Sequence, residues 1–316
     1  MSPPNAQTPD PYQSRRRMAR YAIPIILVVW LCAYLYYSNH QPAYIIPETS
    51  PDASSMHAPK PIIALTPSLT ETLWALDIEH SDYKLVATSP FTNDARADSL
   101  IRLQSAGSLE QIVALKPALV LLHPADSRLK EQLEAMHIPT LSHAMDTIED
   151  IESAIINIGK QINKRTQAHE LLEQIHSDLK ANAIHYRKTE THPGILIIVD
   201  RLDARMLQFY TAQSPAYLAD LVRGCGYEVI QASQNPWARV SAEQLIELNP
   251  TSILFLAHDS DDAQQIASEM RKLYPTLHAV AHDKLFVYDD SDLSVPGPDI
   301  AHSQSKLCAW LHKNDT

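Results

Sequence analysis

Apolar and polar positions follow two rhythms along this chain, and their order predicts the architecture. "KPIIALTPSLTETLWAL" (60–76) opens on an apolar run, passes through Thr-Pro-Ser and continues at helical spacing. It reads as strand, turn and helix, with Ser68 and Glu71 forming a capping box of the S-x-x-E type. "KLVATS" reads as another strand. "SLEQIVALKP" (108–117) starts a helix at Ser108, carries Gln111 three residues on, and stops at Pro117. "ALVLLH" is then a buried strand, and "LKEQLEAMHIPTLSH" a helix followed by a short strand. From Thr147 no strand candidate occurs for about 40 residues. There Ala168, Leu171, Leu172, Ile175, Leu179 and Ala183 keep helical spacing, which predicts a rod from Thr166 to Arg187, roughly 33 Å long. Alternation then resumes: "GILIIVD" as strand, "SPAYLADLVRGCG" and "SAEQLIELNP" as helices, "TSILFLA" as strand, "DDAQQIASEMRKL" as helix, "KLFVYDD" as strand, and a last helix in "PDIAHSQSKLCAWLH". This order predicts an α/β fold with parallel sheets and helices on both faces.

One unit occurs twice. "SLEQIVALKPALVLL" (108–122) returns as "SAEQLIELNPTSILF" (241–255), an offset of 133 residues (241 − 108). The copies flank the rod, so the chain reads as two similar Rossmann-like lobes joined by a long backbone helix. The expected bounds are 61–163 for the first lobe, 164–190 for the connecting helix and 191–316 for the second lobe. A cleft between two lobes is a common ligand site.

The start of the chain follows a different pattern. Tyr21 to Tyr37 is uncharged and mostly apolar, and as helix its 17 residues span roughly 25 Å. Arg15, Arg16, Arg17 and Arg20 precede it, which places residues 1–20 in the cytoplasm and everything after His40 outside. Residues 21–38 are read as a single-pass transmembrane anchor, with a cleaved signal as the alternative. Residues 39–60, rich in Pro, Ser and Ala, read as a linker that lifts a soluble domain off the membrane.

Charge narrows the possible partners. The net charge is −11, and the first 20 residues contribute +3, which leaves −14 for the rest. A nucleic-acid binder would show a basic face instead. Only six glycines occur, and neither G-x-G-x-x-G nor G-x-x-x-x-G-K-[ST] is present. G-x-S-x-G and H-E-x-x-H are also missing, and no Cys has a convincing catalytic partner, so the expectation is a binding protein and not an enzyme. His278 and His282 are four apart but have no third candidate ligand nearby, so no metal site is expected. Cys225 and Cys308 form an even pair in an oxidising setting, as a disulfide or as two buried thiols.

Four stretches together carry a family resemblance: "IIALTPSLTETLWAL", "SLEQIVALKPALVL", "NPWARVSAEQLIELNPTSILF" and "KLFVYDDSDLSVPGPDI". From Pro61 to His312 the chain resembles the helical-backbone (class III) periplasmic substrate-binding proteins of ABC importers, with the nearest likeness to the cobalamin-binding branch. The resemblance implies a monomer on the periplasmic side of the bacterial inner membrane that captures a cobalamin or other corrinoid and delivers it to an ABC permease. Haem, a ferric siderophore, or a carrier or sensor role without a transporter are the alternatives. It implies that Glu110 and Glu243 dock onto the permease and that Cys225 and Cys308 form a disulfide. It places ligand contacts in loops at Thr66–Thr70, Thr88–Asp94, Gln104–Gly107, Arg201–Thr211, Asn235–Arg239 and Asp292–Pro298. The candidates there are Trp237 for stacking on a macrocycle, Arg239 for pairing with carboxylate or phosphate, and Phe91, Phe209 and Tyr210 as further aromatics. The cobalamin receptors carry an aromatic just before the first-lobe motif, where this chain reads "LQSAGS"; that departure puts cobalamin itself in doubt.

Overall fold

The structure is a computed structural model that describes residues 58–103, 109–187, 194–289 and 291–315. The expected anchor, nearly all of the linker, the Ser108 cap and the Gln104–Gly107 loop lie outside the described residues. Among the described residues no helix is long and apolar enough to cross a membrane.

The first lobe begins with β1 (Lys60–Ala64) and α1 (Pro67–Ala75). The helix starts earlier than a Ser68 cap would place it. Thr66 is the N-cap, its hydroxyl accepting from the Leu69 N–H at 3.3 Å, and Pro67 occupies the first turn, where its missing N–H costs nothing. Ser68 lies inside the helix, and its carbonyl accepts from the Thr72 hydroxyl at 2.8 Å. There follow β2 (Tyr83–Thr88), β3 (Ile101–Arg102), α2 (Leu109–Ala114), β4 (Leu119–Leu122), α3 (Ser127–Ala135) and β5 (Thr140–Ser142). All pairings in this sheet are parallel, in the order β3-β2-β1-β4-β5. The chain therefore reverses its direction of growth between β1 and β4, and in such sheets ligands bind outside the carboxyl ends of the strands at that point.

Two helices lead to the second lobe. α4 (Ile148–Gln161) begins at a capping box in which the Thr147 hydroxyl accepts from the Asp150 N–H and Asp150 accepts from the Thr147 N–H. α5 (Arg165–Tyr186) is the rod. The two approach closely: a Cβ on Gly159 would lie 2.6 Å from that of Ala168. Lys164, buried at the turn between them, donates to the Asp77 carboxylate at 3.2 Å and ties the rod to the end of α1.

The second lobe holds β6 (Gly194–Arg201), β7 (Gln208–Ala212), α6 (Tyr217–Gly224), β8 (Glu228–Val229), β9 (Trp237–Ser241), α7 (Ala242–Leu248), β10 (Ser252–Leu256), α8 (Ser260–Leu273), α9 (His278–Ala281), β11 (Leu285–Tyr288) and α10 (Ile300–Asn314). Its sheet runs β11-β10-β6-β7-β9 and is mixed, which corrects the expectation of a parallel sheet. β7 pairs antiparallel with both β6 and β9. The link from β6 to β7 is too short for a crossover helix, so the chain can only return as a hairpin. The repeat is preserved around this difference: β1 pairs β4 as β6 pairs β10, and α2 and α7 lead into β4 and β10.

One apolar core passes through both lobes. It joins Ile62 and Leu121 of the first sheet, Ile151 and Ile155 of α4, Ala168 and Ile175 of the rod, and Ile195 and Leu254 of the second sheet. Two further cores fill the outer sides of the lobes, one around Ile63 and Val120, the other around Phe209 and Phe255. Asn182 of the rod donates to the Ala301 carbonyl of α10 at 2.8 Å. A disulfide joins Cys225, at the end of α6, to Cys308 within α10.

Candidate functional site

The predicted ligand residues of the second lobe lie on strands. Arg201–Thr211 and Asn235–Arg239 were expected to be loops; instead they supply much of the β7–β9 ladder, in which Tyr210 faces Arg239 and Ala212 faces Trp237. Side chains along a strand alternate between faces, and directly paired residues share one. Tyr210, Ala212, Trp237 and Arg239 therefore occupy a single face. Phe209, paired with Val240, takes the other and is 0% exposed, edge-on to Phe255 at 6.3 Å and Tyr274 at 6.1 Å. Phe209 is a core residue with no surface for a ligand, which corrects its place among the candidates.

On the first face Trp237 is half-buried, with Tyr210 stacked on it at 6.1 Å and 12°. Such offset aromatic pairs contribute about 0.5–1.5 kcal/mol beyond the area they bury. The Tyr217 ring lies 5.9 Å away at 56°. The indole N–H of Trp237 is buried without a hydrogen-bond partner. Arg239 is exposed beside this cluster, and Asp200 pairs with Tyr210 from the other side. The cluster adjoins the lobe junction. The Tyr217 backbone N–H donates to the Asp146 carbonyl of the first lobe at 2.9 Å, and its hydroxyl donates to the Leu293 carbonyl at 3.0 Å. Burial pushes the Tyr217 phenol far above its usual range, so it stays a donor at every ordinary pH.

In the first lobe, Phe91 follows β2 and is 82% exposed. Its loop is anchored beneath: Arg102 donates to the Ser89 and Thr92 carbonyls, and the Thr88 and Thr92 hydroxyls pair at 2.8 Å. His123 follows β4 at the switch point. Its Nδ1 accepts from the Ala125 N–H at 3.2 Å, so the neutral ring carries its proton on Nε2 and offers a donor there.

A cavity of about 560 Å³ lies where both lobes meet the rod. Glu71, Trp74, Asp94 and Arg96 line it from the first lobe, Leu171 from the rod and Asp299 from the second lobe. Two of the predicted ligand loops reach it, Thr88–Asp94 through Asn93 and Asp94 and Asp292–Pro298 through Val295 and Pro298, while Trp237, Arg239, Phe91, Phe209 and Tyr210 do not line it. Arg96 lies over the Trp74 ring at 4.2 Å and pairs with Asp94 at 2.7 Å, and this pairing holds the Asp94 carboxyl below its usual range. With three carboxylates around one neutralised guanidinium, the cavity does not suit an anionic cargo.

Glu110 and Glu243 are exposed in the first turns of α2 and α7. The Ser241 hydroxyl holds the Glu243 carboxyl below its ordinary value, and the helix dipole favours the same charge. Ser241 and Gln244 cap α7 reciprocally at 3.3 and 2.9 Å. His278 and His282 stack at 4.1 Å, and among the described residues no group of three or more His, Cys, Asp or Glu is placed to hold a metal ion.

Residues 62–291 match the profile described as periplasmic binding protein. The chain belongs to this family. Among similar proteins, YvrC of Bacillus subtilis (strain 168), described as an uncharacterized ABC transporter substrate-binding lipoprotein, is 24% identical over 289 residues, 86% of this chain and 88% of that one. Two solved structures share the fold of this periplasmic binding protein. Staphylococcus aureus IsdE complexed with heme aligns with a TM-score of 0.67 at 20% identity, covering 80% of this chain and 99% of that one. The vitamin B12 binding protein BtuF of Vibrio cholerae aligns with a TM-score of 0.62 at 20% identity, covering 82% and 99%.

Proposed function

We propose that this periplasmic binding protein is the receptor of an ABC importer, held on the periplasmic face of the inner membrane by its N-terminal segment, and that its cargo is a corrinoid or another metal chelate such as haem or a ferric siderophore. The observation that carries the reading is the stacked Tyr210–Trp237 pair beside exposed Arg239, on one sheet face next to the lobe junction. A flat apolar ring with a cation at its side suits a planar macrocycle that bears carboxylate or phosphate arms. Phe91 supplies a second exposed aromatic from the loop after β2. Family relatives described as heme-binding and vitamin B12-binding support the same class of cargo.

Glu110 and Glu243 are the docking acids in this reading, one per lobe, for a permease with two equivalent halves. The chain works as a monomer and does no chemistry on its cargo. The test is uptake of the cargo by cells whose only copy of the chain carries Glu110→Ala and Glu243→Ala. Uptake is expected to fall to the level of cells lacking the chain while cargo binding by the purified variant is unchanged. Undiminished uptake would remove the importer role.

A further inference from the structure

The two copies of the repeat agree in more than sequence. Positions 110–117 and 243–250 run exposed, exposed, buried, exposed, exposed, half-buried, exposed, buried in both lobes. Ile112 and Leu245 are the buried members inside each helix. At the fourth position each copy shows an apolar side chain to solvent: Val113 is 36% exposed and Ile246 is 57% exposed. Phe91, Met136, Ile184, Leu202, Leu207 and Leu273 are the other large apolar residues exposed among the described residues. Among the described residues none of these six has an exposed apolar counterpart at the 133-residue offset.

A single exposed aliphatic residue needs no explanation. The same exposure at the same place in both lobes, three residues after an exposed glutamate each time, is harder to dismiss. Residues three apart on a helix are neighbours on its surface. Each lobe thus presents one acid and one apolar knob side by side, on helices of six and seven residues. Ile246 is valine enlarged by one methylene; about a third of Val113 and more than half of Ile246 face solvent.

We infer that Glu110 with Val113, and Glu243 with Ile246, form two matching contact points for one partner that presents the same surface twice: a cation next to an apolar recess. The inference rests on the importer reading and adds what the acids alone lack. Exposed ion pairs contribute little net affinity and mainly guide the encounter, whereas an aliphatic side chain buried in a recess slows release. The partner is the permease dimer; a second copy of this chain is the competing occupant, and the experiment separates the two.

The test is photo-crosslinking in the native cells, with the full chain carrying benzoylphenylalanine at position 113, at 246, or at Met136 or Ile184 as controls. Positions 113 and 246 are expected to form adducts with one and the same membrane-embedded permease, and the controls to form none. Ile246→Ser with the probe at 113, and Val113→Ser with the probe at 246, should each lower adduct yield roughly tenfold, the loss expected from one buried aliphatic group. Adducts with a second copy of this chain, adducts with two unrelated proteins, or no adduct at either position would overturn the proposal. Cargo uptake by cells with and without the chain is measured in parallel. Chain-dependent uptake without adducts removes the contact points alone, and uptake that does not depend on the chain removes the importer reading beneath them.

Discussion

Lys116 and Asn249, 133 residues apart, hold the same left-handed backbone conformation, with φ of 46° and 39°. Each ends the helix of its repeat and stands directly before a proline, Pro117 or Pro250. The repeat therefore extends to the turn that aims the following strand, β4 or β10, into its sheet. Asn tolerates this conformation through its short polar side chain, while a lysine pays the full steric cost, about 1–2 kcal/mol. Lys116→Asn should raise stability by about 0.5–1 kcal/mol, seen as a melting temperature about 1–4 °C higher in scanning calorimetry. An unchanged or lower melting temperature would mean that the strain is relieved elsewhere.

The close approach of α4 to the rod has its own test. With only 2.6 Å available between a new Cβ and that of Ala168, Gly159→Ala must push the helices apart. The expected loss is about 1–3 kcal/mol in urea unfolding, although alanine is the better helix former.

The Cys225–Cys308 disulfide closes a loop of 83 residues in sequence separation. On the chain-entropy model a loop of that size contributes about 4–5 kcal/mol. Replacing both cysteines by serine should lower the urea midpoint substantially, while cargo affinity changes little, since the cysteines join the end of α6 to α10 and Trp237 lies on β9. A variant as stable as the parent would show that the disulfide does not restrict the unfolded chain as the chain-entropy model requires.

His143 gives the fold a dependence on mild acid. Its Nε2 is buried without a hydrogen-bond partner, and burial lowers its pKa below 6.5, with Asp150 opposing the shift. The folded state thus favours the neutral ring. That contribution is fully present above the unfolded pKa of about 6.5 and is lost as pH falls through the lower folded value. The parent should lose melting temperature between about pH 7 and pH 5, and His143→Phe should lose less over the same interval. Equal slopes in the two proteins would place the titration elsewhere.

Much of the fold was legible because burial and spacing agreed. The apolar runs at Ile62–Leu65, Leu119–Leu122 and Ser252–Leu256 became central strands, and the duplicated helix and strand sit in equivalent places in the two lobes. β7 and β9 were missed because each is five residues long and polar residues interrupt the apolar ones, so QFYTA and WARVS show neither a strict alternation nor a continuous apolar run. The same oversight made Phe209 and Tyr210 joint candidates. Adjacent residues on a strand point to opposite faces, so once β7 is recognised only one of the two can face a ligand. Thr66 escaped as a cap because Ser68 and Glu71 fit the usual motif, yet Pro67 favours the first helical turn and moves the cap back. The cavity around Trp74 and Arg96 was legible only in part: the loops holding Asp94 and Pro298 were among the predicted ligand loops, whereas Trp74 of α1 and Leu171 of the rod join them through tertiary packing that no local pattern announces.

The most direct measurement is a fluorescence titration of the detergent-solubilised full chain with cobalamin, cobinamide, haemin and ferric siderophores, repeated with Trp237→Phe. If the Tyr210–Trp237 face receives the cargo, one of these chelates quenches tryptophan emission saturably at a 1:1 ratio, and the substitution removes most of that quenching and weakens binding. Saturable binding of a chelate with the Trp237 signal and affinity untouched, or no response to any of them, would contradict the account.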